Sequence, residues 1–338
     1  MEKRNITIKD IASELNISIA TVSRALSGHP DISKKTKALV LETANSMGYH
    51  PNLMASGLIK RKSRTIGVIV PTINRQFWSN TISGIEKTAH EAGYKVMICQ
   101  SNEQFEREKE NIELLANSMV DGLLIAVSKE TTGSSHIQHV LDRGIHVLMF
   151  ERVIEELPVS GVLTDDFEGA FEITEHLLSG GCRRIAHITG PGTLKVCHRR
   201  TEGYAAALQK YGVEFDETLV MESDFTHDAA RKATSKLFDL PKPPDAIFAF
   251  ADIMAIGVLL EIKEMGLSVP ADVAVAGFGN DDVSALVHPS LTTMSQPSFE
   301  IGQKSAARLI KELSEEGTSG RKLEIIKPEL IARDSTRH

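Results

Sequence analysis

Apolar residues recur at helical spacing in three short stretches over the first fifty positions. Ile8, Ile11, Ala12 and Leu15 share one face of a first helix, and Val22, Ala25 and Leu26 share one face of a second. A third is predicted from Ser33 to about Met47, with Leu39, Val40, Ala44 and Met47 as its apolar positions and Gly48 as its stop. Thr7, Ser18 and Ser33 stand just before these stretches, where a hydroxyl accepts one of the exposed N–H groups of the first turn. The first two helices are under three turns and do not persist alone in water, so they must pack on each other and on the third. From residue 65 the pattern changes. Apolar runs such as "TIGVIVP", "KVMICQ", "GLLIAV" and "HVLMFE" alternate with helical patterns near 77–92, 103–118 and 135–143. A second series follows, with "RIAHITG", "LVMESDF", "AIFAFAD" and "VAVAGFG" between helices near 167–179, 199–211, 227–238 and 253–265. Short apolar strands between helices predict parallel sheets covered on both faces. The fold class is therefore α/β, with an all-α headpiece ahead of two similar lobes.

Composition changes this picture little, and charge changes it more. The 338 residues are 41% hydrophobic and 25% charged, ordinary globular values. Cys99, Cys182 and Cys197 have no spacing that suggests zinc or a disulfide framework. Neither an export signal nor an apolar run of membrane-spanning length is present, so a reducing cytoplasm is expected, without membrane, metal or cofactor. Residues 1–65 carry eleven Lys and Arg against five acids, a charge of +6; with −7 for the whole chain, −13 is left to the remainder. A basic lobe on an acidic body is the asymmetry of a polyanion binder.

The second helix, "IATVSRAL", after a tight turn, matches a helix-turn-helix. Its polar face would present Ile19, Ala20, Ser23 and Arg24 to a major groove. Arg24 can offer paired donors to a guanine edge, and Ile19 or Ala20 can meet a thymine methyl. In "YHPNLMASGLIKRKSRT", Pro51 ends the preceding pattern and Asn52 can cap a two-turn helix to about Leu58, followed by a basic tail. Such a helix has no core of its own and is expected to depend on DNA and a partner subunit.

"TIKDIASELNISIATVSRALSG" followed by "GYHPNLMASGL" resembles the DNA-binding headpiece and hinge of the LacI/GalR family of transcription regulators. The resemblance extends over the whole chain, whose body is similar to a periplasmic sugar-binding protein. It implies a headpiece over 1–50, a hinge over 51–64 and an effector-binding and dimerisation body over 65–338. Lobe one would take about 65–162 plus 297–324, and lobe two about 163–296 plus 325–338, with three passages of the chain between them. It implies base-facing roles for Ile19, Ala20 and Arg24 and a minor-groove wedge for Leu58, which bends the duplex and needs two hinges side by side. The expected DNA-binding set is Thr7, Ser18, Ile19, Ala20, Thr21, Ser23, Arg24, Asn52, Ala55 and Leu58. The expected partners are a near-palindromic operator, a second copy of the chain and a small effector.

Doubly wound sheets bind ligands at the carboxyl ends of their strands. Phe77 and Trp78, read as a loop after the first strand, supply rings for a sugar or base, and Asp165 and Asp252 follow apolar strands. The family resemblance adds Arg200 as a clamp on ligand oxygens and Phe225 as a lining residue. Where many members carry an Asp after "GF", this chain has Gly279, with Asn280 or a water as the substitute acceptor. Two other readings compete. A transport-type binding protein fits the body but not the headpiece. An enzyme would need a phosphate loop or nucleophile motif, and "PTINRQFW" after the first strand is neither.

Overall fold

The computed structural model describes residues 6–49, 63–315 and 321–336. The chain divides into two compact units, residues 1–63 and 64–338.

In the first unit, helices α1 (Ile8–Glu14), α2 (Ile19–Leu26) and α3 (Lys34–Ser46) surround a small core of Ile11, Ala12, Val22, Ala25, Val40 and Ala44. The caps at Ser18 and Ser33 form as the sequence predicts, whereas the Thr7 hydroxyl is itself a donor. Thr21 N–H donates to Ser18 Oγ at 3.0 Å and Thr36 N–H to Ser33 Oγ at 3.1 Å, while the Thr7 N–H and hydroxyl both donate to Asp10 Oδ2 at 2.7 Å. The turn between α1 and α2 is made by Asn16 in the left-handed region (φ 50°), which lets Ile17 N–H reach Ala12 O at 3.0 Å. Leu39 departs from expectation and is half exposed. The inward stripe of α3 is Val40, Ala44 and Met47, spaced i, i+4, i+7, and Leu39 lies about 100° off it.

The second unit holds two six-stranded sheets. The first series runs β1 (Thr65–Val70), α4 (Gln76–Glu91), β2 (Lys95–Gln100), α5 (Phe105–Asn117), β3 (Gly122–Ile125), α6 (Ser135–Asp142), β4 (His146–Phe150) and β5 (Ser160–Thr164). The second runs α7 (Asp166–Ser179), β6 (Ile185–Thr189), α8 (Lys195–Lys210), β7 (Val220–Glu222), α9 (His227–Phe238), β8 (Ala246–Ala249), α10 (Asp252–Glu264), β9 (Ala274–Gly279) and β10 (Thr292–Ser295). Helix α11 (Ser298–Ser314) and strands β11 (Leu323–Ile326) and β12 (Glu329–Ile331) follow. Helix α8 starts at Lys195, four residues earlier than its apolar pattern suggests, and the "LVMESDF" strand shrinks to three residues.

Strand order is β2-β1-β3-β4-β5-β11 in the first sheet and β7-β6-β8-β9-β10-β12 in the second. All pairings are parallel except β10 with β12. The chain passes between the sheets at 164–166, 295–298 and 326–329. Period-two alternation splits β1 between two apolar clusters. Ile66, Val68 and Val70 face α4 and α11, while Ile69 faces α5 and α6. The second sheet is covered likewise, with Ile188 and Ala249 in the cluster on the side of α9 and α10 and Ile185 and Phe248 on the side of α7 and α8. The loops at the carboxyl ends of the strands of both sheets face one cleft.

Candidate functional site

In the headpiece, one face of α2 is consumed by Val22 and Ala25, both buried. That leaves Ile19, Ala20 and Arg24 exposed and Thr21 and Ser23 partly exposed, on a helix whose first turn is capped by Ser18. Ile19, at the start of this short polar helix face, is 44% accessible and lies outside the headpiece core. The Lys37 ammonium holds the following turn through Gly28 O at 2.9 Å, so the second and third helices are tied together at that end. Asn52, Ala55 and Leu58 lie outside the described residues.

The cleft in the body encloses a cavity of about 380 Å³. From the first sheet's side it is walled by Arg75, Phe77 and Trp78 after β1, Asn102 and Glu103 after β2, Lys129 after β3, and Glu151 and Arg152 after β4. The opposing wall has Arg200 on α8, Phe225 after β7, Phe250 after β8 and Phe278, Gly279 and Asp281 at the end of β9. Trp78 is not in a loop. It sits in the first turn of α4, buried, with its ring edge on Phe77 at 4.9 Å and on Phe150 at 6.1 Å. Phe225 fits because residue 190 is glycine: a Cβ there would stand 2.3 Å from the Phe225 ring.

Charged side chains in the wall are held in pairs. Arg200, 2% exposed, donates from Nε to Asp166 Oδ1 at 2.8 Å and from a terminal nitrogen to Phe250 O at 2.5 Å. Its guanidinium lies 4.1 and 3.6 Å from the ring centroids of Phe250 and Phe278. Burial pushes the Asp166 carboxyl up to about 7, against the pull of Arg200. Arg152 grips Glu103 with two bonds, 2.8 and 3.1 Å, and lies 5.3 Å from the rings of both Trp78 and Phe225, one from each wall. Lys129 reaches across the cleft to Asp224 at 2.8 Å, and this bond holds the Asp224 carboxyl below its usual range. Arg75 also crosses, donating to Phe225 O, and burial lowers its guanidinium pKa despite the neighbouring Asp281, Glu103 and Asp224. At the hinge, Glu151 accepts from Gln296 at 2.7 Å and from Thr164 at 2.9 Å, linking two of the three passages between lobes.

Of the residues expected in the effector site, Phe77, Trp78, Arg200 and Phe225 are brought together in this wall, and Asp165, Asp252 and Asn280 are not. Asp165 caps α7 by accepting from Glu168 N–H at 3.1 Å. Asp252, 1% exposed, is spent on Ser284 Oγ at 2.6 Å, Thr293 Oγ1 at 2.6 Å and Asp281 N–H at 2.9 Å. Asn280 turns its amide oxygen to Arg333 at 2.7 Å, so it is not the substitute for the acceptor that Gly279 lacks. Arg75, Glu103, Lys129, Arg152 and Asp281 are not singled out by the sequence pattern. Arg152 carries a visible signal all the same: "FER" places two charges directly after the apolar strand β4.

Comparison with known proteins identifies the family and the fold. A family model of bacterial regulatory proteins, lacI family, matches residues 7–52, and one of a periplasmic binding protein-like domain matches residues 174–336. The HTH-type transcriptional repressor CytR of Escherichia coli (strain K12) is 37% identical over 98% of this chain and 96% of its own. Among solved structures, the complex of the transcriptional regulator CelR with cellobiose covers 98% of this chain and 100% of its own, with 28% identity and a TM-score of 0.75. The lac repressor dimer bound to operator and the anti-inducer ONPF, at 24% identity, shares the fold over 99% of this chain and 100% of its own, with a TM-score of 0.88. No helix among the described residues is long and apolar enough to cross a membrane. With the helix-turn-helix first in the chain, the two-sheet cleft after it and a repressor related along nearly the full length, this chain belongs to the lacI family of bacterial regulatory proteins, which are DNA-binding regulators of transcription.

Proposed function

We propose that this chain is a repressor that binds a near-palindromic operator as a homodimer, and that a small metabolite held in the body's cleft controls its operator affinity. The metabolite is a sugar or sugar derivative. The observation that carries this reading is the cleft wall itself. Rings from both sheets (Trp78, Phe225 and Phe250) stand beside hydrogen-bonding groups at the carboxyl ends of parallel strands. Ring faces match the apolar face of a saccharide, and polar groups at the edge orient its hydroxyls. The CelR–cellobiose complex, with the same fold, supports a saccharide. The wall also contains cross-lobe contacts, Lys129 with Asp224 and Arg75 with Phe225 O. A ligand that fits only one lobe arrangement would change the weight of that arrangement, and coupling to DNA requires this difference in affinity.

In the headpiece, Ile19, Ala20 and Arg24 read bases, with Thr7, Ser18, Thr21 and Ser23 around them on phosphates and groove edges. The domain limits that accompany this reading are a headpiece over 1–50, a hinge over 51–64 and a body over 65–338. Asn52, Ala55 and Leu58 complete the contact set from the hinge.

The test is selection of operator sequences from a random duplex library, followed by anisotropy titration of the selected duplex across salt and with candidate sugars. Steep salt dependence and a shift in apparent affinity with one sugar are expected. A flat salt response, or affinity indifferent to every compound that binds the body, refutes it.

A further inference from the structure

The chain lacks an acidic side chain at residue 279, the last residue of the strand that points into the cleft, and the structure supplies one two residues later. Gly279 has φ +139° and Asn280 φ +53°, both in the left-handed region that L side chains rarely adopt. This detour brings Asp281 rather than Asn280 into the cavity wall. A Cβ on residue 279 would meet only ordinary contacts at 3.8 Å, so it is the backbone angle and not space that calls for glycine.

Asp281 stands at the N-cap position of the short helical turn 282–285, yet its carboxylate makes no cap bond. Among the described residues nothing donates a hydrogen bond to that carboxylate, although its own N–H is fixed by Asp252 and the next N–H by Gln76 Oε1 at 2.8 Å. An acceptor held by its backbone and left open toward a cavity is available to a ligand. Three of the four surrounding cations are spent on carboxylates, and Arg75 is bound to a backbone oxygen. Lys129 is paired with Asp224, Arg152 with Glu103 and Arg200 with Asp166. Four cations and four carboxylates line the cavity, so the wall has no surplus of positive charge for an anion.

We propose that Asp281 is the specificity-determining acceptor of the cleft, taking a hydrogen bond from a hydroxyl of a neutral, ring-bearing ligand, and that the cleft rejects phosphorylated and carboxylated forms of it. This deepens, and rests on, the reading of the cleft as the effector site. Arg75, on the facing wall and with donors beyond its bond to Phe225 O, serves the ligand's acceptors. A phosphate or carboxylate in the same place would meet Asp281 as a like charge, with Lys129, Arg152 and Arg200 already bound to carboxylates and Arg75 facing Asp281 across the cavity.

The test is thermal denaturation of the full chain with ribose, glucose, cellobiose, adenosine and uridine. Glucose 6-phosphate, glucuronate and the two nucleoside 5′-monophosphates provide the anionic counterparts. The strongest hit is then titrated calorimetrically into wild type, Asp281→Asn and Phe225→Ala. Stabilisation by a neutral compound but not its anionic counterpart is expected, with binding about ten- to hundredfold weaker in Asp281→Asn, the loss of one charge-assisted bond. Phe225→Ala weakens the same compound. Stabilisation by anionic members only, or by no neutral member, overturns the proposal. Binding that Phe225→Ala weakens and Asp281→Asn leaves unchanged overturns the role of Asp281 while keeping the cleft as the site. Binding indifferent to both substitutions overturns the cleft reading itself.

Discussion

Helices α4 and α11 cross at a distance only glycine permits, and Gly302→Ala measures how much the cleft depends on it. A Cβ on residue 302 would stand 2.0 Å from Thr81 O and 2.9 Å from Ile85 N, both backbone atoms of α4. The contact is reciprocal, since a Cβ on Gly84 would stand 2.1 Å from Phe299 O on α11. Ordinary Cβ contacts begin near 3.4 Å, so the helices must separate by about 1.4 Å at that point. No side chain can rotate out of the way. Overpacking of this kind costs about 1–3 kcal/mol, and a backbone obstacle places the variant near the upper end. For a body of this size, about 3 kcal/mol lowers the melting temperature by roughly 5 °C. The separation also reaches the cleft, because α4 carries Phe77 and Trp78 in its first turn and α11 follows directly on Gln296. Urea denaturation of the full chain measures the cost, with Gly133→Ala as control, since a Cβ there meets nothing within 4 Å. A Gly302→Ala protein within about 0.5 kcal/mol of wild type, the range of ordinary surface changes, refutes the close-crossing argument.

Three further outcomes are expected. Ser33→Ala removes the acceptor of Thr36 N–H and costs about 1 kcal/mol, read as faster amide exchange in α3 but not in the body's sheets. Arg24→Ala relaxes base preference at one symmetric operator position and costs about 1–3 kcal/mol for each bidentate pair of hydrogen bonds to a base that it removes, read by repeating the operator selection. Burial, with Asp252 and Asp282 opposing the ion and Arg75 favouring it, pushes the Asp281 carboxyl from 3.8 up to about 6. Between these values the folded chain holds a proton the unfolded chain has released, so this group's contribution to stability falls as pH rises from about 4 to 6 and levels off above; Asp281→Asn removes that slope in melts across the same range.

The headpiece is legible in the sequence because its determinants are local. Ser18 and Ser33 cap helices that begin one residue later, and the inward stripe of each helix follows from spacing alone. Only Leu39 misleads, since hydrophobicity next to a true core position cannot show which of two adjacent residues turns inward. In the body, strand and helix order is readable from apolar runs. The strand Ser160–Thr164 is not, because "SGVLT" is short and half polar, and its burial comes from β4 and β11, the latter more than 150 residues away.

The cleft is harder to read because its residues are defined by where charge is spent, which is a tertiary fact. Asp165, Asp252 and Asp281 look alike in sequence, each an acid shortly after an apolar strand. One caps its own helix, one is consumed by two hydroxyls and an amide, and the third faces the cavity with its carboxylate unclaimed among the described residues. The deciding differences are a glycine with φ +139° before the third and the arrival of Ser284 and Thr293 beside the second. Neither is local to the residue concerned. The same logic separates Arg200, whose donors are held by Asp166 and Phe250 O, from Arg75, which keeps donors free of any carboxylate bond. A binding surface in this fold is therefore found by subtracting the groups that the protein satisfies itself, and what remains in the described wall is an open carboxylate facing an arginine between aromatic rings.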